Sequence, residues 1–258
     1  MLAEITPEQL LFMSAAELGS TTRTSNATVV RTLQALGYAG LAELKGGVAG
    51  PFTSSTAPDV RARRRIEATG GNLENVWERV TTEAIERIDL LRHYHSPEAY
   101  AAAVELIHGA RQVATFGFGA SSVVAEQLAL KLRRVGRSSR PIRGSGFQLA
   151  DEMLSIERGD VLVLFAPGRL PRDTQVLLDR VRAVGASSVL VTDELLERLE
   201  DVVTVTIHAP NTPTGMTAET LSTMAVADAL VQGVAAFDIE HAVQTSHTLT
   251  TIRQQLGF

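Results

Sequence analysis

Cysteine is absent from the 258-residue chain, which excludes disulfides, thiol nucleophiles and thiolate metal ligands and fits a reducing compartment. Long hydrophobic runs are missing too. Although 45% of the residues are apolar, no uninterrupted stretch approaches the roughly 20 needed to cross a bilayer, and no basic, apolar, small-residue leader stands at the N-terminus. A soluble, cytoplasmic chain with no membrane partner is predicted. Positive charge is not in excess: the net charge of −5 excludes a protein coated with nucleic acid, yet permits a small DNA-reading module whose local field alone meets the phosphates. The six histidines are scattered without metal-ligand spacing, so neither a metal nor a cofactor is expected.

The length suits two unequal units, since domains usually run to roughly 100–200 residues. The first reads as an all-α module over residues 1–45. Ser14 followed by Glu17 is a capping box that should start a helix. Gly19 and the polar run Ser20 to Thr24 are expected to break it. Ser25 can cap a second helix, in which Val29, Val30, Leu33 and Leu36 recur at helical spacing before Gly37 ends it. Two short helices about a tight polar turn make a helix-turn-helix, whose second helix enters the major groove by its N-terminal part.

By position, Ser25, Asn26 and Thr28 stand where short polar side chains reach base edges or phosphates, Arg31 lies one turn on, and Arg23 sits in the turn. Against a DNA role, residues 1–50 carry three basic and four acidic side chains, whereas most DNA-binding modules are clearly positive. The cluster Arg61, Arg63, Arg64 and Arg65 partly restores the balance, as a DNA-backbone contact or as a solvated connector.

Residues 46–71, opening with GGVAGPFTSSTAP, are rich in Gly, Pro, Ser and Thr and read as a linker without packed structure. A second unit is then expected over 72–258. It opens with an amphipathic helix whose apolar positions Trp77, Val80, Ala84, Ile88 and Leu91 should lie against something larger. Beyond it, strand candidates at Gln112 to Gly117, Val161 to Phe165, Ser188 to Thr192 and Val202 to Ile207 alternate with helical patterns. The fold class is therefore α/β: a doubly wound, mostly parallel sheet flanked by helices, behind an all-α N-terminal module.

The segment ATFGFGASSVVAEQLALKL places Gly117 and Gly119 directly after a strand, and Ser121 and Ser122 at the head of a helix. Glycines let backbone approach a ligand closely, and helix N-termini favour anions, so a phosphate cradle fits here. A tight strand-to-helix turn with no ligand fits as well. A dinucleotide site fits poorly, because the third glycine of GxGxxG is missing.

Taken together, SAAELGSTTRTSNATVVRTLQALGYAGLAELK resembles the helix-turn-helix of the RpiR/MurR regulators. GFGASSVVAEQLALKL, DVLVLFAPG, VGASSVLVTD and APNTPTG resemble their sugar-isomerase (SIS) domain. The resemblance spans about four-fifths of the chain and rests on the order of the modules. It implies a transcriptional regulator that binds DNA, takes a phosphorylated sugar or related metabolite in its SIS domain, and works as a homodimer or higher homo-oligomer.

Two departures stand out. The family has a further helix before the capping-box helix, where this chain offers only MLAEITPEQLLF. The family's phosphate-binding SxSGxT loop is matched by Phe165, Ala166, Pro167, Gly168, Arg169 and Leu170, from which every hydroxyl is gone. The effector residues are then Gly117, Gly119, Ser121, Ser122, Ala166, Gly168 and Arg169, with Arg169 or Arg172 either replacing the lost donors or serving as ordinary surface charge. Two alternatives stay open. One is a sugar-phosphate isomerase using Glu219 or one of His208, His241 and His247 as base; the other is a metabolite binder that has lost DNA binding.

Overall fold

The computed structural model describes residues 5–55, 58–69, 72–211 and 220–258, with a few helix side chains of 8–69 left aside. The chain divides into two compact units, one ending at Tyr94 and one built from His95–Ala209 and Thr220–Phe258.

The first unit is all helical: α1 Pro7–Phe12, α2 Ala15–Thr22, α3 Asn26–Ala35, α4 Leu41–Ser55, α5 Pro58–Thr69 and α6 Leu73–His93. The expected capping box is present, with Ser14 Oγ accepting from the Glu17 N–H and the Glu17 carboxylate accepting from the Ser14 N–H. A second such box, Thr6 with Gln9, starts α1, so the short N-terminal stretch does form a helix of six residues. Gly19 does not break α2. The helix runs on to Thr22, and Gly19 serves instead for close approach: a Cβ there would lie 2.9 Å from the Thr24 carbonyl oxygen. The helix stops at Arg23, the one described non-glycine residue with positive φ, at 56°. Ser25 caps α3, and Gly37 follows it with φ 94°.

The core of α2 and α3 is small, built from Leu18, Val29, Leu33 and Leu41 with Ile5, Leu10, Met13, Ala15, Tyr38 and Leu44 around them.

The expected linker is corrected by α4 and α5, which continue helical backbone through most of 46–69. Helical propensity is a weak prior, and three glycines and a proline within α4 did not prevent it. The expected boundary is corrected as well, because α6 belongs to the first unit. It docks by its charged face. Arg79, Glu83, Arg87 and Leu90 are buried, with Arg79 donating to the Phe12 carbonyl and pairing with Glu17 at 2.9 Å and Glu83 at 3.6 Å. The Tyr94 hydroxyl donates to Glu43. Of the apolar stripe that should have faced inward, Trp77 is 75% and Val80 51% exposed, while Ala84, Ile88 and Leu91 are half-buried.

The second unit holds α7 Pro97–Gly109, β1 Val113–Gly117, α8 Ser121–Arg134, β2 Ser139–Pro141, α9 Gly146–Leu154, β3 Val161–Phe165, α10 Arg172–Val184, β4 Ser187–Thr192, α11 Leu196–Leu199, β5 Val205–His208, α12 Leu221–Phe237 and α13 Ile239–Gln255. The five strands form one sheet in the order β2-β1-β3-β4-β5, and every pair is parallel. Ala114, Phe116, Leu162, Leu164 and Leu190 share one core with Leu149 of α9 and Leu177, Leu178 and Val181 of α10. Thr115, Val163, Phe165, Val189 and Val191 are as deeply buried and by the two-residue period face the opposite side. There the Thr115 hydroxyl donates to the Ala125 carbonyl of α8 at 2.7 Å. Both faces are thus covered, as a parallel sheet requires.

The edge strand β2 has no counterpart in the sequence reading: Ser139-Arg140-Pro141 is short, and its proline is tolerated only because the strand is an edge. The expected strand from Val202 begins at Val205, because Val202 and Val203 pack against the α9–α10 core instead. No single helix among the described residues is long and apolar enough to cross a membrane.

Candidate functional site

Parallel sheets place ligands outside the C-terminal ends of the strands, where the strand order reverses and two loops diverge. In this sheet the reversal falls between β1 and β3, the strands on either side of which the chain is wound in opposite directions. Gly117 and Phe165 are register partners at the ends of these two strands. The two expected effector loops, 117–122 and 166–170, therefore leave adjacent strands at the same level and flank one crevice.

The first loop is tightly drawn. A Cβ on Gly117 would lie 2.4 Å from the Ser121 carbonyl oxygen, so only glycine lets α8 begin so close to the strand. Gly119 adopts φ 59° with open space around it, and Phe118 between them is exposed. The Ser121 and Ser122 N–H groups donate to the carbonyls of Phe118 and Gly119, and the Ser122 hydroxyl donates to Gly119 as well, at 2.8 Å. Ser121 is buried, and its hydroxyl makes no hydrogen bond among the described residues. Of the expected serines, Ser121 is the one left to meet a ligand, while Ser122 braces the loop.

The second loop rests on β4. Ala166 is buried, its N–H donating to Val191 and its carbonyl accepting from the Thr192 hydroxyl at 2.6 Å, so it forms the floor. The Asp193 and Glu194 N–H groups both donate to the Pro167 carbonyl at 2.9 Å. Gly168 is half-buried and Arg169 exposed. A Cβ on Gly168 would fall 2.8 Å from both Cδ and Oε2 of Glu194, which places that carboxylate directly on the loop. Partial burial raises the Glu194 carboxyl above its ordinary range and the neighbouring Asp193 adds to the effect, with Arg169 opposing it. On β5, His208 pairs with Asp193 at 2.9 Å.

Asp193 and Glu194 had no place in the sequence reading of the site. The available signal was their position directly after a strand, since residues there line the ligand edge of a parallel sheet.

The isomerase candidates do not assemble. Glu219 lies outside the described residues, as does the whole TPTG segment. His208 is held by Asp193, His241 stands against the Gly136 carbonyl at 3.1 Å, and His247 is exposed on α13. Among the described residues no group of His, Asp and Glu has metal-binding geometry. An open cavity of about 700 Å³ lined by Glu105, Arg158, Asp160 and Ser187 lies at the opposite, N-terminal edge of the sheet, away from both loops.

In the first unit, Arg23, Asn26 and Arg31 are exposed around the start of α3, with Arg31 Nε donating to the Ala27 carbonyl at 3.2 Å. Ser25 and Thr28 are engaged in the cap: their hydroxyls lie 2.9 Å apart, and Ser25 Oγ accepts the Thr28 N–H. Lys45 is 5% exposed. Of the cluster in α5, Arg63 is exposed, while the side chains of Arg61, Arg64 and Arg65 lie outside the described residues.

Residues 106–233 match the family model of the SIS domain. Over 187 residues the chain is 25% identical to an uncharacterized HTH-type transcriptional regulator, YfhH of Escherichia coli K12, covering 72% of this chain and 66% of the regulator. The chain thus carries a SIS domain over residues 106–233 and is similar beyond them to an HTH-type transcriptional regulator. It spans about a quarter of the length of the other curated relatives it matches.

Among solved structures, the sugar isomerase domain of an RpiR transcription factor from Sphaerobacter thermophilus is 24% identical with a TM-score of 0.63, covering 67% of this chain and 97% of that one. The Vibrio vulnificus NanR protein complexed with ManNAc-6P is 20% identical with a TM-score of 0.61, covering 96% and 88%. At these identities the two structures speak for the fold alone.

Proposed function

We propose that this chain is a DNA-binding transcriptional regulator controlled by a phosphorylated sugar or related metabolite bound in the β1–β3 crevice of its SIS domain. The observation that carries the reading is the coexistence in one chain of a capped helix-turn-helix and a SIS-type sheet. In this reading α3 enters the major groove, Asn26 and Arg31 reach base edges or phosphates, and Arg23 meets the backbone from the turn. Ser25 and Thr28 contribute through the cap that sets the helix angle. The effector acts by binding two arrangements of the protein with different affinity.

Two copies reading paired half-sites require a homodimer. The exposed stripe of α6 suits such pairing, because Leu73, Trp77 and Val80 are apolar, outward and on one side of the helix.

The test is a salt titration of the purified chain on DNA upstream of its own gene. Specific binding that weakens with salt is expected, with Arg31→Ala lowering affinity by about tenfold or more, the loss of one good base or phosphate contact. Absence of specific binding at low salt would refute the regulator reading and leave a metabolite binder, which the acidic balance of residues 1–50 and the burial of Lys45 would then explain.

A further inference from the structure

We infer that the cavity at the N-terminal edge of the SIS sheet is a second ligand site, built for a zwitterion that carries both an ammonium and a carboxylate group: a free α-amino acid or a dipeptide. The site stands at the other end of the sheet from the β1–β3 crevice and does not rest on the regulator reading.

The cavity, open and about 700 Å³ in volume, is walled by the C-terminal turn of α7 and by the segments that enter β3, β4 and β5. That volume is within the range of small-molecule sites. Two opposite charges line it. Glu105 comes from α7 and Arg158 from the segment before β3, and neither has an ion-pair or hydrogen-bond partner among the described residues. Arg158 does not simply extend into solvent: a Cβ on Gly185, another residue of the wall, would lie 4.0 Å from its Cγ, so its stem is laid along the cavity.

The wall at the start of β3 is acidic. Asp160 is 3% exposed, and one of its carboxylate oxygens accepts from Arg111 and from the Glu157 N–H, both at 2.9 Å. The other, Oδ1, is buried with no hydrogen-bond partner. A buried carboxylate oxygen without a donor is costly, and a cation drawn to this wall offsets that cost through its field. Arg111 also pairs with Glu157 at 3.3 Å, so one guanidinium balances two carboxylates and negative charge is left over. The end of α7 adds to it. The helix stops at Gly109 and the chain leaves extended through Ala110, both on the wall, which sets the negative end of the helix dipole there.

Hydroxyl donors come from the strand side. The Ser187 hydroxyl makes no hydrogen bond among the described residues, and the Thr204 hydroxyl, which accepts the Ser188 N–H at 3.0 Å, keeps its own proton to give. An ammonium group therefore belongs toward Glu105, Asp160 and the end of α7, and a carboxylate toward Arg158, Ser187 and Thr204. A simple amine leaves Arg158 unanswered, and a simple carboxylate meets the excess of negative charge. The zwitterion answers both.

The experiment is titration calorimetry and thermal shift of the full chain, as wild type, Glu105→Gln and Arg158→Gln. The probes are the twenty common amino acids one at a time, L-alanyl-L-alanine, ethylamine and acetate, each up to about 10 mM or its solubility limit, which reaches weak millimolar complexes. Both substituted positions are exposed, and circular dichroism checks that the fold is kept. At least one amino acid or the dipeptide is expected to raise the melting midpoint and to bind the wild type about tenfold or more tightly than ethylamine or acetate, the scale of one charge-assisted contact. Each substitution is expected to weaken that ligand by about tenfold or more. A dipeptide bound more tightly than every free amino acid assigns the site to peptides, and the reverse order assigns it to amino acids. No binding by any amino acid or by the dipeptide would overturn the inference. So would binding that either substitution leaves unchanged, or ethylamine or acetate bound as tightly as the best zwitterion.

Discussion

The two units of the chain solve the burial problem in opposite ways. In the SIS unit, aliphatic side chains from both faces of a parallel sheet are enclosed by helices, and Val163, Leu177, Leu190 and Leu230 are fully buried. In the first unit the apolar core is a handful of residues around Leu18 and Leu33, and the longest helix turns Arg79, Glu83 and Arg87 inward while Trp77 and Val80 face out. An amphipathic pattern tells that a face will be covered without telling by what. In α8 and α10 the apolar face meets its own sheet. In α6 ion pairs hold the inner face, and the N-terminal part of the apolar face, at Leu73, Trp77 and Val80, is exposed.

The contrast is open to direct attack. The largest effect is expected from Leu164→Ala, which leaves a cavity in the middle of the sheet and should cost about 2–5 kcal/mol; denaturant unfolding followed by circular dichroism measures it. A loss below about 1 kcal/mol would show that the SIS core is less tightly packed than its burial indicates.

Next comes Arg79→Ala, which removes the ion pairs with Glu17 and Glu83 and the bond to Phe12. Breaking a buried pair at one partner costs about 3–5 kcal/mol, and the exposure of Glu17, at 48%, places this case at or below the lower end. Melting of the helical unit should fall and become less sensitive to salt, with the SIS unit unchanged. Equal destabilisation of both units would erase the distinction between them.

The smallest effect concerns Glu86 on α6. Burial raises its carboxyl above the ordinary range, and Glu83 adds to this while Lys45 and Arg87 oppose it. A raised folded-state pKa means the native state holds the proton more tightly than the unfolded chain, so stability falls as pH rises from the ordinary carboxylate range through the raised value. Glu86→Gln should flatten that fall and modestly raise the midpoint at neutral pH. A variant less stable at neutral pH would mean that the Lys45 and Arg87 charges outweigh burial.

Local signals were legible wherever the responsible groups are close in sequence. The Ser14–Glu17 box, the Ser25 cap, the Gly37 stop and the β3 strand over Val161 to Phe165 stand where propensity and periodicity put them, because each is set by contacts within a few residues. The linker reading failed over 46–69 for the converse reason: glycine and proline lower helix propensity by amounts that surrounding helices readily offset. At the crevice, the strand-to-helix glycines were legible, whereas the serines could not be told apart. Ser121 and Ser122 differ only in which carbonyl lies within reach once the loop closes.

By itself, the sequence determined the α/β class, the order of the two modules, the helix caps and the loss of hydroxyls from the loop after β3, all of which are matters of residue type and spacing. Tertiary structure alone decided that the crevice lies between β1 and β3, that α6 turns its charges inward, and that Glu194 occupies the loop beside Gly168. Those outcomes depend on pairings between residues distant along the chain. Glu194 reaches Gly168 because β4 lies beside β3, and that neighbourhood is written in no local pattern.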